Sequence, residues 1–246
     1  MQLPERPWNG RYLLDAFSCA GGATMGYYLA GYRVVAVDIE DQPNHPGRQT
    51  NSEEIRFVRA DAIQFIREYG TAFHGIHVSP PCQFDCTLTA GTNSAKRDQY
   101  ADLLDPTRAA LEAVRRPYVI EQPVGRASRR MRVDVQLCGE MFDLAVIRHR
   151  NFELGGWTMD QPAHREHRGR VAGMRHGKWF EGPYFQVYGN GGGKGTVAQW
   201  QQAMGIHWTG VGGRDRRGHP ARLHRADRPR PVPAPRQSRT RRLTPR

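Results

Sequence analysis

Cys82, in Ser79-Pro80-Pro81-Cys82-Gln83, is the side chain best placed to act as a nucleophile. It follows the apolar run 74–78, so a strand exit stiffened by two prolines would present its thiol at a sheet edge. Even a modest thiolate fraction is strongly nucleophilic; a buried structural cysteine is the alternative reading. The Gly/Ser/Thr-rich stretch 87–94 follows, in keeping with a loop that closes over a substrate. Glu121, in Tyr118-Val119-Ile120-Glu121-Gln122-Pro123, ends another strand candidate. If the two strands are neighbours, thiol and carboxyl suit covalent addition to a ring assisted at a ring nitrogen. Arg148 and Arg150 flank His149, and in an extended segment they share one face. Such a pair suits an anionic or carbonyl-bearing substrate, or is simply a solvated face.

A second constellation suits a nucleotide-like cofactor. Asp15-Ala16-Phe17-Ser18-Cys19-Ala20-Gly21-Gly22 takes a strand into a glycine turn that opens a helix. Gly21 and Gly22 allow close backbone approach, and the helix start offers free N–H donors. Asp38, at the end of the next strand candidate and followed by Ile39, suits a ribose diol. Asp61, followed by Ala62, ends the third.

The elements that position these residues alternate. Strands are expected at 12–17, 33–38, 55–58, 75–79 and 117–121, and helices at 24–30, 62–69 and 106–116. Asp61 and Asp105 are expected N-caps, with Pro106 opening the last helix and Gly70 closing the one before it. The alternation predicts an α/β, Rossmann-like fold with active residues at the carboxyl ends of parallel strands. From 155 to 183 the periodicity dissolves into Gly, His, Arg and Trp, which reads as a small irregular lobe. Thr196 is expected to cap a short helix ending at Gly205. The expected division is 1–154 catalytic and cofactor-binding, 155–185 lobe, 186–208 return segment and 209–246 tail.

In this order the motifs resemble the DNA (cytosine-5) methyltransferases, especially compact phage-type members, over residues 11–208. Phe17 and Gly21-Gly22 match the S-adenosylmethionine motif, and Asp38 and Asp61 the next two cofactor positions. Pro80-Pro81-Cys82-Gln83 matches the nucleophile motif, Glu121 the glutamate of the E-N-V motif, and Arg148/Arg150 the R-x-R motif. The resemblance implies S-adenosyl-L-methionine held by Phe17, Ser18, Gly21, Gly22, Asp38, Ile39, Asp61, Ala62 and Pro80. It implies Cys82, Glu121, Arg148 and Arg150 as catalytic, with Gln83 contacting duplex DNA from which the cytosine is flipped out. Three features depart from the family pattern. Cys19 replaces the first glycine of the cofactor motif, Gln122-Pro123 replaces Asn-Val, and no closing family segment is readable. Codons allowed for 214–228, read one base later, can spell E-I-A-E-A-I-P-P-A-Y-T-A-Q-I-G, which is close to that segment. A single-base shift near Trp208 is therefore expected to have produced this C-terminus. A catalytically weak, degenerate member and a tRNA cytosine-5 methyltransferase are the alternatives that this leaves.

Composition adds bounds. The 246 residues carry a formal charge of +12, but 209–246 hold 12 Arg against two acids, so the rest of the chain is only +2. That tail lacks the apolar residues to offset its ordering entropy and is expected to be disordered. No apolar run or leader points to a membrane or to secretion, so a cytoplasmic monomer in a prokaryotic or phage-infected cell is expected. The cluster Arg165, Arg168, Arg170, Arg175 and Lys178 is the internal candidate for DNA phosphates. His164, His167 and His176 have no Cys partner at zinc-site spacing, so no metal is expected. The run 189–196 reads as a flexible connector, since it does not satisfy the phosphate-loop pattern.

Overall fold

The computed structural model describes residues 1–82, 84, 101–164, 166–176, 178–185 and 196–208. All of them belong to one unit, Met1–Gly213. Seven strands form the main sheet: β1 (Tyr12–Ala16), β2 (Arg33–Asp38), β3 (Ile55–Arg59), β4 (Gly75–Val78), β5 (Tyr118–Pro123), β6 (Val135–Cys138) and β7 (His149–Gly155). Their order is β3-β2-β1-β4-β5-β7-β6, parallel through β5 and antiparallel where β7 enters. This is a Rossmann-like α/β sheet, wound outward from β1 and β4, and the crevice between those strands is where such folds bind ligands.

Both faces of the sheet are covered, and the strand sequences show why. On β1, Leu14 and Ala16 point into one core with Val37, Ile66, Ile76, Leu111 and Ile120. Leu13 points into the other with Met25, Tyr28, Val34 and Ile55, as the two-residue strand period requires. The helices are α1 (Gly22–Leu29), α2 (Pro46–Gln49), α3 (Ala62–Tyr69), α4 (Leu104–Val114) and α5 (Val197–Met204). Asp61 caps α3, its carboxylate accepting from Gln64 N, and Gly70 closes it. Thr196 caps α5, with Gly205 in the left-handed conformation at its end. Asp105 does not cap α4. The helix begins at Leu104, two residues earlier than expected, and Asp105 is instead claimed by the guanidiniums of Arg108 and Arg130.

The expected irregular lobe holds a second sheet. Strands β8 (Val171–Arg175), β9 (Lys178–Phe180) and β10 (Tyr184–Phe185) pair in the order β10-β8-β9. They are two to five residues long and interrupted by Gly173, too short for a period to show. The lobe is tied back through Phe185 N to Ala145 O (2.8 Å), and Ala145 N in turn donates to Ala203 O of α5 (3.1 Å). No helix among the described residues is long and apolar enough to cross a membrane.

Candidate active site

The turn after β1 is held in an unusual conformation. Phe17 (φ 59), Cys19 (φ 47) and Gly21 (φ 80) are all left-handed, two of them with side chains that disfavour it. Backbone bonds fix the turn: Ser18 N donates to Val37 O at 3.0 Å and Gly21 N to Ser18 O at 2.9 Å. A Cβ on Gly21 would lie 2.7 Å from the His45 ring and from Pro46, so only glycine fits. We expect Gly21→Ala to cost about 2–3 kcal/mol of stability, read from urea midpoints, with cofactor affinity falling as the turn shifts.

Asp38 lies beside this turn at the end of β2. Its Oδ2 accepts from Cys19 N at 2.8 Å and its Oδ1 from Glu40 N at 2.9 Å. The carboxylate thus organises the turn through the same backbone position at which Cys19 departs from glycine. Ile39 is an exposed large apolar side chain directly after it. Ser18 Oγ is buried, with no hydrogen-bond partner among the described residues. An orphan hydroxyl, a carboxylate, an exposed apolar side chain and a glycine turn at a helix start are the features a nucleoside-type cofactor needs. The residues therefore fit S-adenosylmethionine. Asp61 Oδ1 is engaged in capping α3 beside Ala62.

Beneath the turn lies a buried polar chain that the sequence reading passed over. The Thr24 hydroxyl donates to Asp15 Oδ2 and lies 3.2 Å from His45 Nε2. Burial, partly offset by the bond from Thr24, pushes the Asp15 carboxyl up to about 7. Asp15 is therefore protonated in the fold up to about pH 7, but in the unfolded chain only below about pH 4. It makes stability fall as pH rises through that window. Asp15→Asn, always neutral, should match the wild type near about pH 4 and gain over it until about pH 8, when stability is measured by denaturant titration at each pH. Parallel curves for the two proteins would contradict this.

Against α1, a cleft of about 960 Å³ is lined by Gly22, His77, Ser79, Glu121, Arg148 and Arg150, among others. Glu121 and both arginines therefore meet in one cavity. Arg150 Nε lies 2.5 Å from Glu121 Oε1, an ion pair without hydrogen-bond geometry, since that buried oxygen accepts no hydrogen bond among the described residues. Gln122 Nε2 donates to Pro80 O at 2.6 Å, joining the end of β5 to the Pro80-Pro81-Cys82 segment that leaves β4. Pro123 falls past Ile120, the last residue paired to β4, so its missing N–H interrupts no bond there. His77, inside β4, lies 3.1 Å from Ser79 Oγ and 3.2 Å from the Tyr27 hydroxyl. Burial pushes it down to about 4, so the ring is neutral and its two nitrogens can hold both hydroxyls. A histidine within the apolar run Gly75-Ile76-His77-Val78 was the signal for this support.

Asp38, Ile39 and Asp61 do not line that cleft. Trp208 Nε1 donates to Ala20 O at 2.9 Å, bringing the end of the described chain to the same turn.

In the lobe, Arg168 reaches Glu140 and Arg170 donates to Glu181 O at 2.8 Å, while the Lys178 side chain is exposed. Tyr184, His167 and Arg168 together hold the Glu140 carboxyl down at about 2. Gln83, Arg165, residues 87–94 and 209–246, and the Arg175 side chain lie outside the described residues. His164 and His167 have no cysteine at zinc-site sequence spacing, but the fold brings one to them. Cys138 and His149 reach them across the fold, which sequence spacing does not reveal, whereas His176 stands apart.

A Rossmann-like sheet whose first strand ends in a glycine turn and whose second ends in a carboxylate is an arrangement that suits a nucleotide-type cofactor. No family model matches the chain, and no curated protein does. Among solved structures it is similar to a protein described as a DNA modification methyltransferase from a prophage (E. coli). The identity is 18%, covering 59% of this chain and 46% of that one, with a TM-score of 0.43. A triple mutant of Spodoptera frugiperda DNMT2 is also similar (18% identity, 63% and 54% covered, TM-score 0.40). So is a SAM-dependent methyltransferase from Agrobacterium tumefaciens (20%, 50% and 41%, TM-score 0.33). The chain spans about half or less of each of these proteins.

Proposed function

We propose that this chain is an S-adenosylmethionine-dependent methyltransferase acting on C5 of cytosine in DNA. The observation that carries the reading is the meeting of Glu121, Arg148 and Arg150 in one cleft, with Gln122 bonded to the segment that bears Cys82. Cys82 adds to C6 of a flipped-out cytosine, which makes C5 nucleophilic. Glu121 gives a proton to N3 and offsets the charge developing on the ring. Arg150 holds Glu121, and Arg148 beside it faces the ring carbonyl. S-adenosylmethionine supplies the methyl group that C5 takes up. A water molecule then takes the C5 proton, the electron pair of that C–H bond expels the Cys82 thiolate, and N3 returns its proton to Glu121, with S-adenosylhomocysteine as the co-product.

On this reading the lobe within 155–185 reads the DNA, with Lys178, Arg168 and Arg170 near the phosphates. The test is transfer of a labelled methyl group by the full chain to duplex DNA and to tRNA, followed by nucleoside analysis. We expect 5-methylcytosine in DNA; label only in tRNA, or on another DNA atom, would overturn the substrate assignment. The same assay on a chain carrying the one-base-shifted reading after Trp208 isolates the contribution of the C-terminus.

A further inference from the structure

We propose that Cys138, His149, His164 and His167 form a zinc site that pins the recognition lobe to the edge of the main sheet. One ligand atom from each of the four lies within 4.8 Å of every other. The three imidazole rings stand 4.9–5.2 Å apart, centroid to centroid. The set is assembled from distant parts of the chain. Cys138 ends β6 and is paired directly with His149 at the start of β7, so the hairpin register puts both on one face. Arg148 and Arg150 line the active-site cleft, and strand alternation turns the intervening His149 the other way. His164 and His167 come from the connection between β7 and β8.

The surroundings suit a bound cation. Cys138 is buried, and its sulfur accepts the backbone N–H of Met141, which fixes its orientation. His167 Nδ1 lies 2.5 Å from Glu140 Oε2; a carboxylate only accepts, so Nδ1 donates and Nε2 is left for the metal. One sulfur and three imidazole nitrogens are a tetrahedral set suited to zinc. Bonds of about 2.0–2.3 Å would bring the ligand atoms to about 3.3–3.8 Å from each other, a side-chain contraction of about 1 Å. Binding releases the Cys138 thiol proton and leaves the ion closed to substrate, so its role is structural.

The test uses the full chain, prepared without chelator and with zinc supplied. We expect about one zinc per chain by elemental analysis, and tetrahedral bands with a thiolate charge-transfer band when cobalt(II) replaces it. His164→Ala removes an exposed ring, so the fold should persist by circular dichroism while zinc affinity falls at least about tenfold in chelator competition. Cys138→Ser should abolish the charge-transfer band, and His176→Ala, in the turn between β8 and β9, should leave affinity unchanged. Equal affinity in the wild type and His164→Ala, or a cobalt spectrum without the thiolate band, would overturn the site.

Discussion

Cys82→Ala should lower methyl transfer to duplex DNA by about 10⁴-fold or more, with cofactor affinity changed by less than about twofold. The size follows from the chemistry. Without addition at C6, C5 of cytosine is too weak a nucleophile to take the methyl group, and among the described residues no cysteine lines the cleft that could take the place of Cys82. The separation from cofactor binding follows from the residues assigned to the cofactor, the turn around Ser18 and Gly21 and the Asp38 carboxylate that accepts from Cys19 N at 2.8 Å. Equilibrium binding of S-adenosylmethionine and single-turnover transfer, measured on the same preparation, separate the two quantities. A parallel loss of both would mean that Cys82 supports the fold of the site instead of attacking the base.

Glu121→Gln should cost about 10²–10⁴-fold in kcat, again with little change in cofactor affinity. Gln keeps the length of the side chain and can still meet N3, but it has no acidic proton to give. It also removes the negative charge that Glu121 would carry beside Arg150, 2.5 Å away, once its proton has passed to N3. The loss should therefore be larger in kcat than in KM for DNA, because the interaction strengthens as charge develops on the ring. A change confined to KM would recast Glu121 as a residue that only holds the base.

The sequence was legible where local rules and burial agree. Strand β2 occupies 33–38 as expected, because Val34, Ala36 and Val37 are buried in a parallel sheet. Helix α3 has the expected bounds, because Asp61 and Gly70 close both ends of a strongly one-sided helix. Strands β6 and β7 were hidden by polar residues that the fold buries and satisfies. Glu153 is paired with Arg108 of α4 at 2.9 Å, and Asn151 is bonded to Gln136 and Ser128. Hydropathy cannot tell such residues from a solvated loop. At the site, Cys82, Glu121 and the two arginines could be named from motif order. His77, Asp15 and His149 could not, since each acts through a partner on another element: Tyr27, Thr24 and Cys138.

The reaction proposed here passes through a covalent bond between Cys82 and C6, broken only when the C5 proton leaves. Duplex DNA with 5-fluorocytosine at its target cytosines has no such proton, so the adduct should persist. Incubated with the chain and S-adenosylmethionine, that DNA should become attached in a denaturant-stable complex, and mass spectrometry should place the link on the peptide bearing Cys82. Methyl transfer to ordinary DNA without any such complex, or attachment through another residue, would contradict the account.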